Sequence, residues 1–150
     1  MARAIELSIE NVRSGRGGPF GAVIVKNGAI IGEAANQVTS TNDPTAHAEV
    51  LAIRAACAKL GTFELHSSDI YTSCEPCPMC LGAIYWARLA RIFFANDATD
   101  AAKIHFDDSL IYREIALPHS ERAIPMIQMM REQALAGFRA WQEKSDKIIY

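Results

Sequence analysis

The pattern of apolar and polar residues predicts a chain in which helices and strands alternate. Two apolar segments, residues 20–26 and 29–36, flank Asn27-Gly28, which is the strongest short signal for a β-hairpin. We therefore predict that these two strands pair antiparallel. Ile5, Ile9 and Val12 recur at helical spacing and predict a first helix, which residues 14–19 end. A second helix is predicted from the cap Asp43 and Pro44 to about Leu60, where Gly61 stops it. The remaining predicted elements are a strand at 69–73, a helix at 78–88, a strand at 91–96, a loop or short helix at 106–118, a strand at 123–129 and a helix at 130–145.

Strands that alternate with helices are typical of an α/β layer structure. We predict a three-layer α/β/α sandwich, with a mixed sheet of about five strands and helices on both faces. Pro125 cannot donate to a neighbouring strand, so the strand at 123–129 is placed at an edge of the sheet. The length of 150 residues argues for a single domain, 1–150.

The composition narrows the class of protein. Half of the residues are apolar and 21% are charged, with 15 basic and 17 acidic side chains, as in ordinary globular domains. The longest apolar stretches, such as residues 81–87, are too short to span a bilayer, and the first residues lack the core of a signal peptide. We expect a cytoplasmic protein without a membrane partner. No basic run is present, which disfavours nucleic acid as a partner.

Three of the four cysteines lie within residues 74–80, "CEPCPMC". In a reducing compartment, clustered cysteines more often bind metal or take part in catalysis than form disulfides. Pro78 suits the first position of a helix, which places Cys77 at the cap and Cys80 in the opening turn. The positive end of the helix dipole favours the thiolates that a metal requires.

We predict His47 as the third ligand of this metal site. Sulfur and imidazole nitrogen are preferred donors for zinc, and three protein ligands leave one position for water. One zinc ion per chain would then lie where two helix N-termini converge. Glu49 would stand beside the metal without binding it, because helical side chains lean toward the N-terminus. Zinc lowers the pKa of a bound water to about 7, and a nearby carboxylate can take its proton.

Other interpretations of these residues remain open. A single C-x-x-C pair is also found in redox proteins and in structural zinc sites. With Cys74 as a fourth ligand, the cluster would be a closed Cys₃His site without catalytic function. Cys74 lies on the strand side of Pro76, so we expect its thiol to pack beneath the site instead. Cys57 is most simply a small core residue.

Longer segments of the chain resemble one known family. "HAE" at 47–49 and "PCPMC" at 76–80 match the zinc-deaminase signature H-x-E…P-C-x-x-C. Beyond that signature, residues 17–49, 71–88, "FDDSLIY" at 106–112 and the closing "IIY" are similar to bacterial guanine deaminases of the cytidine-deaminase-like fold. The resemblance covers almost the whole chain. It implies zinc-dependent hydrolysis of guanine to xanthine and ammonia, in purine catabolism or salvage.

The resemblance also implies roles for individual residues. His47, Cys77 and Cys80 would hold zinc, and Glu49 would move protons to N3 of guanine and then to the departing amine. The remaining implied site residues are Asn36 as a hydrogen-bond partner of the purine, Phe20 and Trp86 beside the ring, Ala48 as a further substrate contact, and Asp108 as a second acidic group that accepts from guanine N–H donors. Structural roles are the alternatives: a turn or helix cap for Asp108, core positions for Phe20 and Trp86, and a strand end for Asn36.

The C-terminal residues Ile148, Ile149 and Tyr150 form an apolar end behind a charged segment. Chain ends are usually polar and frayed, so this one has reason to dock. The family's dimers are similar in exchanging C-terminal segments. This implies a homodimer in which residues 130–150 are swapped and Tyr150 covers the partner's pocket. The alternative is a tail that folds back on its own subunit.

Three competing functions share parts of this pattern. tRNA adenosine deaminases are similar in "HAE" and "EPC-x-MC", although the lack of a basic face and the segment "FDDSLIY" disfavour that substrate. Deaminases of guanosine, cytosine or another amino-heterocycle would use the same zinc ligands. A zinc-stabilised binding module without activity would also keep the ligands, but it would have no use for Glu49 as a proton carrier.

Overall fold

The computed structural model describes all 150 residues, which form two compact units, Met1–Asp108 and Ser109–Tyr150. The elements of the first unit are α1 (Ala2–Arg13), β1 (Gly21–Lys26), β2 (Ala29–Ala35), α2 (Val38–Thr41), α3 (Ala48–Leu60), β3 (Ser68–Cys74), α4 (Pro78–Trp86), β4 (Arg91–Asn96) and α5 (Ala98–Lys103). The second unit contains α6 (Ser109–Ala116), a single 3₁₀ turn (His119–Glu121) and α7 (Arg131–Glu143).

The four strands form one mixed sheet in the order β2-β1-β3-β4. β1 pairs antiparallel with β2 and with β3, whereas β3 and β4 are parallel. The predicted hairpin is confirmed: Asn27 and Gly28 connect β1 to β2 with φ angles of 51° and 78°. Two consecutive positive φ angles are what a two-residue type I′ turn requires, and asparagine followed by glycine adopts them with least strain.

Helices cover both faces of the sheet, as predicted for a three-layer α/β/α structure. Ala22 and Ile24 of β1 are fully buried in a cluster that includes residues of α3 and α4. Val23 points to the opposite face by the alternation of a strand and is also buried. That face is covered by α1, which contacts β1, β2 and β3. The core of the first unit therefore consists of the buried side chains on the two faces of β1.

The predicted number of strands is wrong by one. Residues 123–129, expected to form a fifth strand, have no sheet partner and no regular structure. Pro125 lacks the N–H that a ladder needs, and the apolar side chains of Ile124 and Ile127 are about 80% exposed. The alternating apolar side chains of this segment are therefore not buried within the same chain.

The start of α3 also differs from the prediction. Asp43 does not cap the helix; its Oδ1 accepts hydrogen bonds from the backbone N–H and the hydroxyl of Thr45, at 2.8 and 2.7 Å. These bonds close a turn in front of the helix, and α3 begins only at Ala48 with His47 as its N-cap. The predicted end is confirmed, since Gly61 is the C-cap in the left-handed region. His47 consequently lies just outside the helix rather than within its first turn.

The helix α1 exists where the periodicity predicts it, but the residues that reveal the period are not its buried face. Ile5, Ile9 and Val12 are 38–53% exposed. The buried face consists of Ala4, Ser8 and Asn11. Small and polar side chains thus pack against the sheet, and Asn11 is almost completely enclosed.

The second unit has no buried residue: every position from Ser109 to Tyr150 is exposed or intermediate. Many of its large apolar side chains are more than half exposed, among them Leu110, Ile115, Met129, Phe138, Ile148 and Tyr150. A helix in water gains most of its stability from packing an apolar face. This unit therefore has apolar surface to bury. No helix of either unit has the length and apolar character needed to cross a membrane.

Candidate metal centre

The N-termini of α3 and α4 meet at His47, Cys77 and Cys80. His47 is the N-cap of α3, Cys77 is the N-cap of α4, and Cys80 lies in the first turn of α4 behind Pro78. Nδ1 of His47 is 3.5 Å from Sγ of Cys77 and 3.5 Å from Sγ of Cys80. The three ligand atoms lie within 4.8 Å of one another. These residues are positioned to bind a metal ion, as the sequence predicts.

The spacing of the donors fits zinc. Tetrahedral zinc has bonds of about 2.3 Å to sulfur and about 2.0–2.1 Å to nitrogen, which separate the two donor atoms by roughly 3.5 Å. The two nitrogen–sulfur distances in the protein have this value. Two sulfurs and one imidazole nitrogen are also the donor types that zinc prefers. The site therefore fits a zinc ion with three protein ligands.

The site favours a thiolate even without a metal. A hydrogen bond from the Cys80 thiol, assisted by His47, lowers the pKa of Cys77 to about 4. The same hydrogen bond raises the pKa of Cys80, which keeps its proton as the donor. The hydrogen bond to Cys77 also raises the pKa of His47. Both sulfurs lie at the positive end of α4, which favours negative charge there.

Glu49 is a buried acid beside the ligands. It lies in the first turn of α3, is only 7% exposed, and is not one of the three ligands. Its carboxyl group lies within hydrogen-bond reach of the Cys80 sulfur. Burial raises the pKa of Glu49 above its usual range. His47 and Glu49 can face the same ion because His47, as the cap, does not follow the helical turn.

Cys74 does not complete a closed four-ligand site. It ends β3 as a buried residue, and its sulfur lies 3.7 Å from the carbonyl oxygen of Asp97. Burial raises its pKa to about 11, so it remains a neutral thiol. The predicted position of this thiol, packed outside the ligand set, agrees with this arrangement.

Asp108 and Phe20 are two further predicted site residues in the first unit. Partial burial and then the charge of Cys77 raise the pKa of Asp108. The ring of Phe20 packs edge-to-face on Phe106, with ring centroids 4.9 Å apart, and it also borders the core cluster. Their roles toward a substrate stay predictions.

Asn36 has an oriented side chain. Its Oδ1 accepts hydrogen bonds from the backbone N–H groups of Gly18 and Val38, at 3.4 and 3.2 Å. A role for its Nδ2 amino group toward a substrate stays a prediction. Ala48, another predicted substrate contact, has its side chain fully buried in the core cluster. Only its backbone N–H, in the first turn of α3, could reach a substrate.

Two predicted site residues have exposed side chains. Trp86 is at the far end of α4, about 13 Å along the helix axis from Cys77 at 1.5 Å per residue, and is 63% exposed. Tyr150 ends the second unit and is 67% exposed. A role for either residue in the site stays a prediction.

Two residues that the sequence analysis does not single out support the site. Glu75 accepts a hydrogen bond from the N–H of Ala98 at 3.1 Å, and its own N–H donates to Asn96 at 2.8 Å. It thereby fixes the turn from β4 to α5. Asn11 donates hydrogen bonds to the backbone carbonyls of Gly18 and Asn36. The signals were a charged residue inside "CEPC" and an asparagine next to the apolar positions of α1.

Comparison with known proteins identifies the family. The family described as "Cytidine and deoxycytidylate deaminase zinc-binding region" matches residues 1–96. Guanine deaminase of Bacillus subtilis strain 168 is 57% identical over 150 residues, covering 100% of this chain and 96% of that protein. The X-ray structure of guanine deaminase from Bacillus subtilis matches with a TM-score of 0.96 and 57% identity, covering 99% of this chain and 95% of the other.

A second group of relatives matches only part of the chain. The tRNA-specific adenosine deaminase of Aquifex aeolicus strain VF5 is 47% identical over 77 residues, which is 51% of either chain. The segment matched by the family includes His47, Glu49, Cys77 and Cys80. With three donors at zinc spacing and a buried acid beside them, the chain belongs to the cytidine and deoxycytidylate deaminase family.

Proposed function

We propose that this protein is a guanine deaminase, which hydrolyses guanine to xanthine and ammonia. The observation that carries the proposal is the buried Glu49, which contacts Cys80 but is not one of the three metal ligands. A structural zinc site has no need for such an acid. The full-length similarity to the guanine deaminase of Bacillus subtilis supports guanine as the substrate.

Zinc and Glu49 would contribute different parts of the reaction. When bound, zinc supplies a water molecule whose pKa is lowered to about 7. Glu49 would take one proton from water and deliver it to N3 as the C2–O bond forms. It would then take the proton of the new C2 hydroxyl and pass it to the 2-amino group, so that the C2 carbonyl forms as the C2–N bond breaks and ammonia leaves. A carboxylate with a raised pKa is suited to both steps, because it can hold a proton between them.

Asn36 and Asp108 are proposed to select the base. The Nδ2 of Asn36 can donate to a ring acceptor, since its Oδ1 already has two partners. The carboxylate of Asp108 can accept from N1–H and the 2-amino group of guanine. Adenine presents an N1 lone pair at the corresponding edge, which a carboxylate would repel. Phe20 is proposed to pack against the purine ring.

Ammonia release from a panel of substrates tests this function. With zinc-loaded protein, we expect turnover of guanine to exceed that of guanosine, adenine and cytosine. We also expect no inosine in tRNA incubated with the protein. Preferred turnover of adenosine in tRNA would support the competing deaminase function. Absence of ammonia from every substrate, at one zinc per chain, would support a binding module instead.

We infer that two copies of the chain exchange their second units. Ser109–Tyr150 has no buried residue despite its many apolar side chains. The strand β4 is an edge of the sheet, and its Phe93 and Phe94 are 37% and 48% exposed. Apolar surface on both units is consistent with mutual burial in a homodimer. In this arrangement Tyr150 covers the active site of the partner.

All four cysteines are free thiols, which suits the predicted cytoplasmic location.

Complementation between two defective chains tests the exchange. One chain carries Glu49→Gln and an intact tail; the other lacks residues 148–150 and keeps Glu49. We expect the ammonia release of each chain alone to be impaired. The refolded mixture should recover up to about one active site per mixed dimer, because the intact tail of one chain reaches the site of the other, which keeps Glu49.

A tail that folds back on its own subunit would give no recovery in the mixture. Full activity of the truncated chain alone would contradict any role for Tyr150. Mixing without refolding is the control, since exchanged segments should not re-pair while both dimers stay folded.

A further inference from the structure

We propose that Asn11 is a positioning residue for the substrate site, acting through Asn36. This inference rests on the proposed function of Asn36 as the donor to the purine. Asn11 lies on α1, is 1% exposed, and is one of the largest fully buried side chains of the protein. A buried amide at this position must satisfy its hydrogen bonds inside the protein.

The side-chain amino group of Asn11 donates two hydrogen bonds, both to backbone carbonyl groups. Nδ2 donates to the carbonyl oxygen of Asn36 at 2.7 Å and to that of Gly18 at 2.9 Å. These carbonyls belong to the end of β2 and to the loop before β1. Asn11 therefore joins two segments that are 18 residues apart in the chain.

The two segments are also joined to each other, so that a closed ring of hydrogen bonds results. Phe20 donates from its backbone N–H to Gly18 at 2.9 Å, and its carbonyl accepts from the N–H of Asn36 at 3.0 Å. With the two bonds from Asn11, the ring contains four hydrogen bonds. The backbones of both proposed substrate contacts, Phe20 and Asn36, are members of it.

Gly17 packs closely against this ring. A Cβ atom on Gly17 would lie 2.2 Å from the carbonyl oxygen of Asn36 and 3.0 Å from Nδ2 of Asn11. Only glycine allows this close approach. The carbonyl of Asn36 is thus held from two sides, and its side chain is oriented in turn by Gly18 and Val38.

The consequence is a fixed direction for the Asn36 amino group. If Asn11 loses its amide, the carbonyls of Gly18 and Asn36 lose a buried donor and the end of β2 can shift. A displacement of this kind weakens an oriented hydrogen bond to the substrate. We expect it to leave the zinc ligands in place, because they lie at the N-termini of α3 and α4.

A double-mutant cycle with Asn36 tests the proposal. In the otherwise native protein, we expect Asn11→Ala to lower kcat/KM for guanine roughly five- to tenfold, as for the loss of one neutral hydrogen bond, mainly through KM. Zinc content should remain one per chain. In an Asn36→Ala background the same substitution should change kcat/KM less than about twofold, because the group that Asn11 positions is absent.

Controls separate this role from a general loss of stability. Ser8→Ala removes another buried polar group from the same face of α1, but Ser8 donates only to Ile5 within the helix. We expect this variant to leave KM unchanged. Should Asn11→Ala not fold, Asn11→Ser, whose shorter side chain leaves room for a bridging water, carries the same cycle.

An equal loss of kcat/KM in both backgrounds would overturn the proposal, as would an unchanged KM in folded Asn11→Ala. If the native protein releases no ammonia from guanine, the proposed function fails and this inference fails with it. If the native protein turns over guanine but the effects of the two substitutions are additive, the proposed role of Asn11 fails while the proposed function stands.

Discussion

Glu49→Gln is expected to abolish ammonia release from guanine while zinc stays bound. Glutamine keeps the size of the side chain but cannot carry a proton between the metal-side water and the base. General acid–base groups contribute about 10²–10⁴-fold to rate, and we expect kcat to fall by at least that range. Steady-state ammonia release and metal content of the same sample provide the measurement.

The matched control is Glu10→Gln, the same change at an exposed carboxylate of α1. It should behave as the native protein in both measurements. Activity of Glu49→Gln within tenfold of the native value would contradict the proposed proton transfer. Loss of zinc in that variant would show instead that the carboxylate supports the ligands.

Cys77→Ala should remove zinc, activity and much of the resistance to unfolding together. Only two ligands would remain, and three protein ligands are the usual minimum for a catalytic zinc ion. A ligand that binds only the folded state stabilises it by about 4 kcal/mol at 1,000 times its Kd, and this contribution would be lost. Metal analysis and thermal unfolding with and without added zinc are the measurements.

Two other thiols supply controls for this variant. Cys57→Ala changes a partly buried residue of α3 that borders the core cluster, and Cys74→Ala changes the buried thiol beneath the site. Both should retain one zinc per chain. Loss of zinc from Cys74→Ala, or full zinc in Cys77→Ala, would contradict the three-ligand site and favour a different ligand set.

The metal centre was predictable because local signals specify it. Pro78 fixes the start of α4, and the cap and first turn of that helix then hold Cys77 and Cys80. The start of α3 was harder, since Asp43 and Pro44 suit both a helix cap and a turn. The turn is formed, and His47 takes the cap position.

Contacts between distant segments explain the errors in the fold. The spacing of Ile5, Ile9 and Val12 reveals the helix α1, but it does not show which side meets the sheet. In the structure the smaller side chains, such as Ala4 and Ser8, lie at this contact. Residues 123–129 alternate like a strand, yet a strand requires a partner, and none is present in the chain.

The choice of substrate is the least local property of the site. The zinc ligands are compatible with many amino-substituted rings, so they do not distinguish guanine from cytosine. In the proposed site, discrimination depends on side chains from other parts of the chain, such as Asn36 and Asp108. The direction of the Asn36 side chain follows from hydrogen bonds that no motif encodes.

The position of the metal centre in the first unit has a consequence for biosynthesis. His47, Glu49, Cys77, Cys80 and the enclosed hydrophobic cluster all precede residue 109. Domains fold as they emerge from the ribosome, beginning at the N-terminus. A nascent chain therefore has every group needed to capture zinc before translation ends.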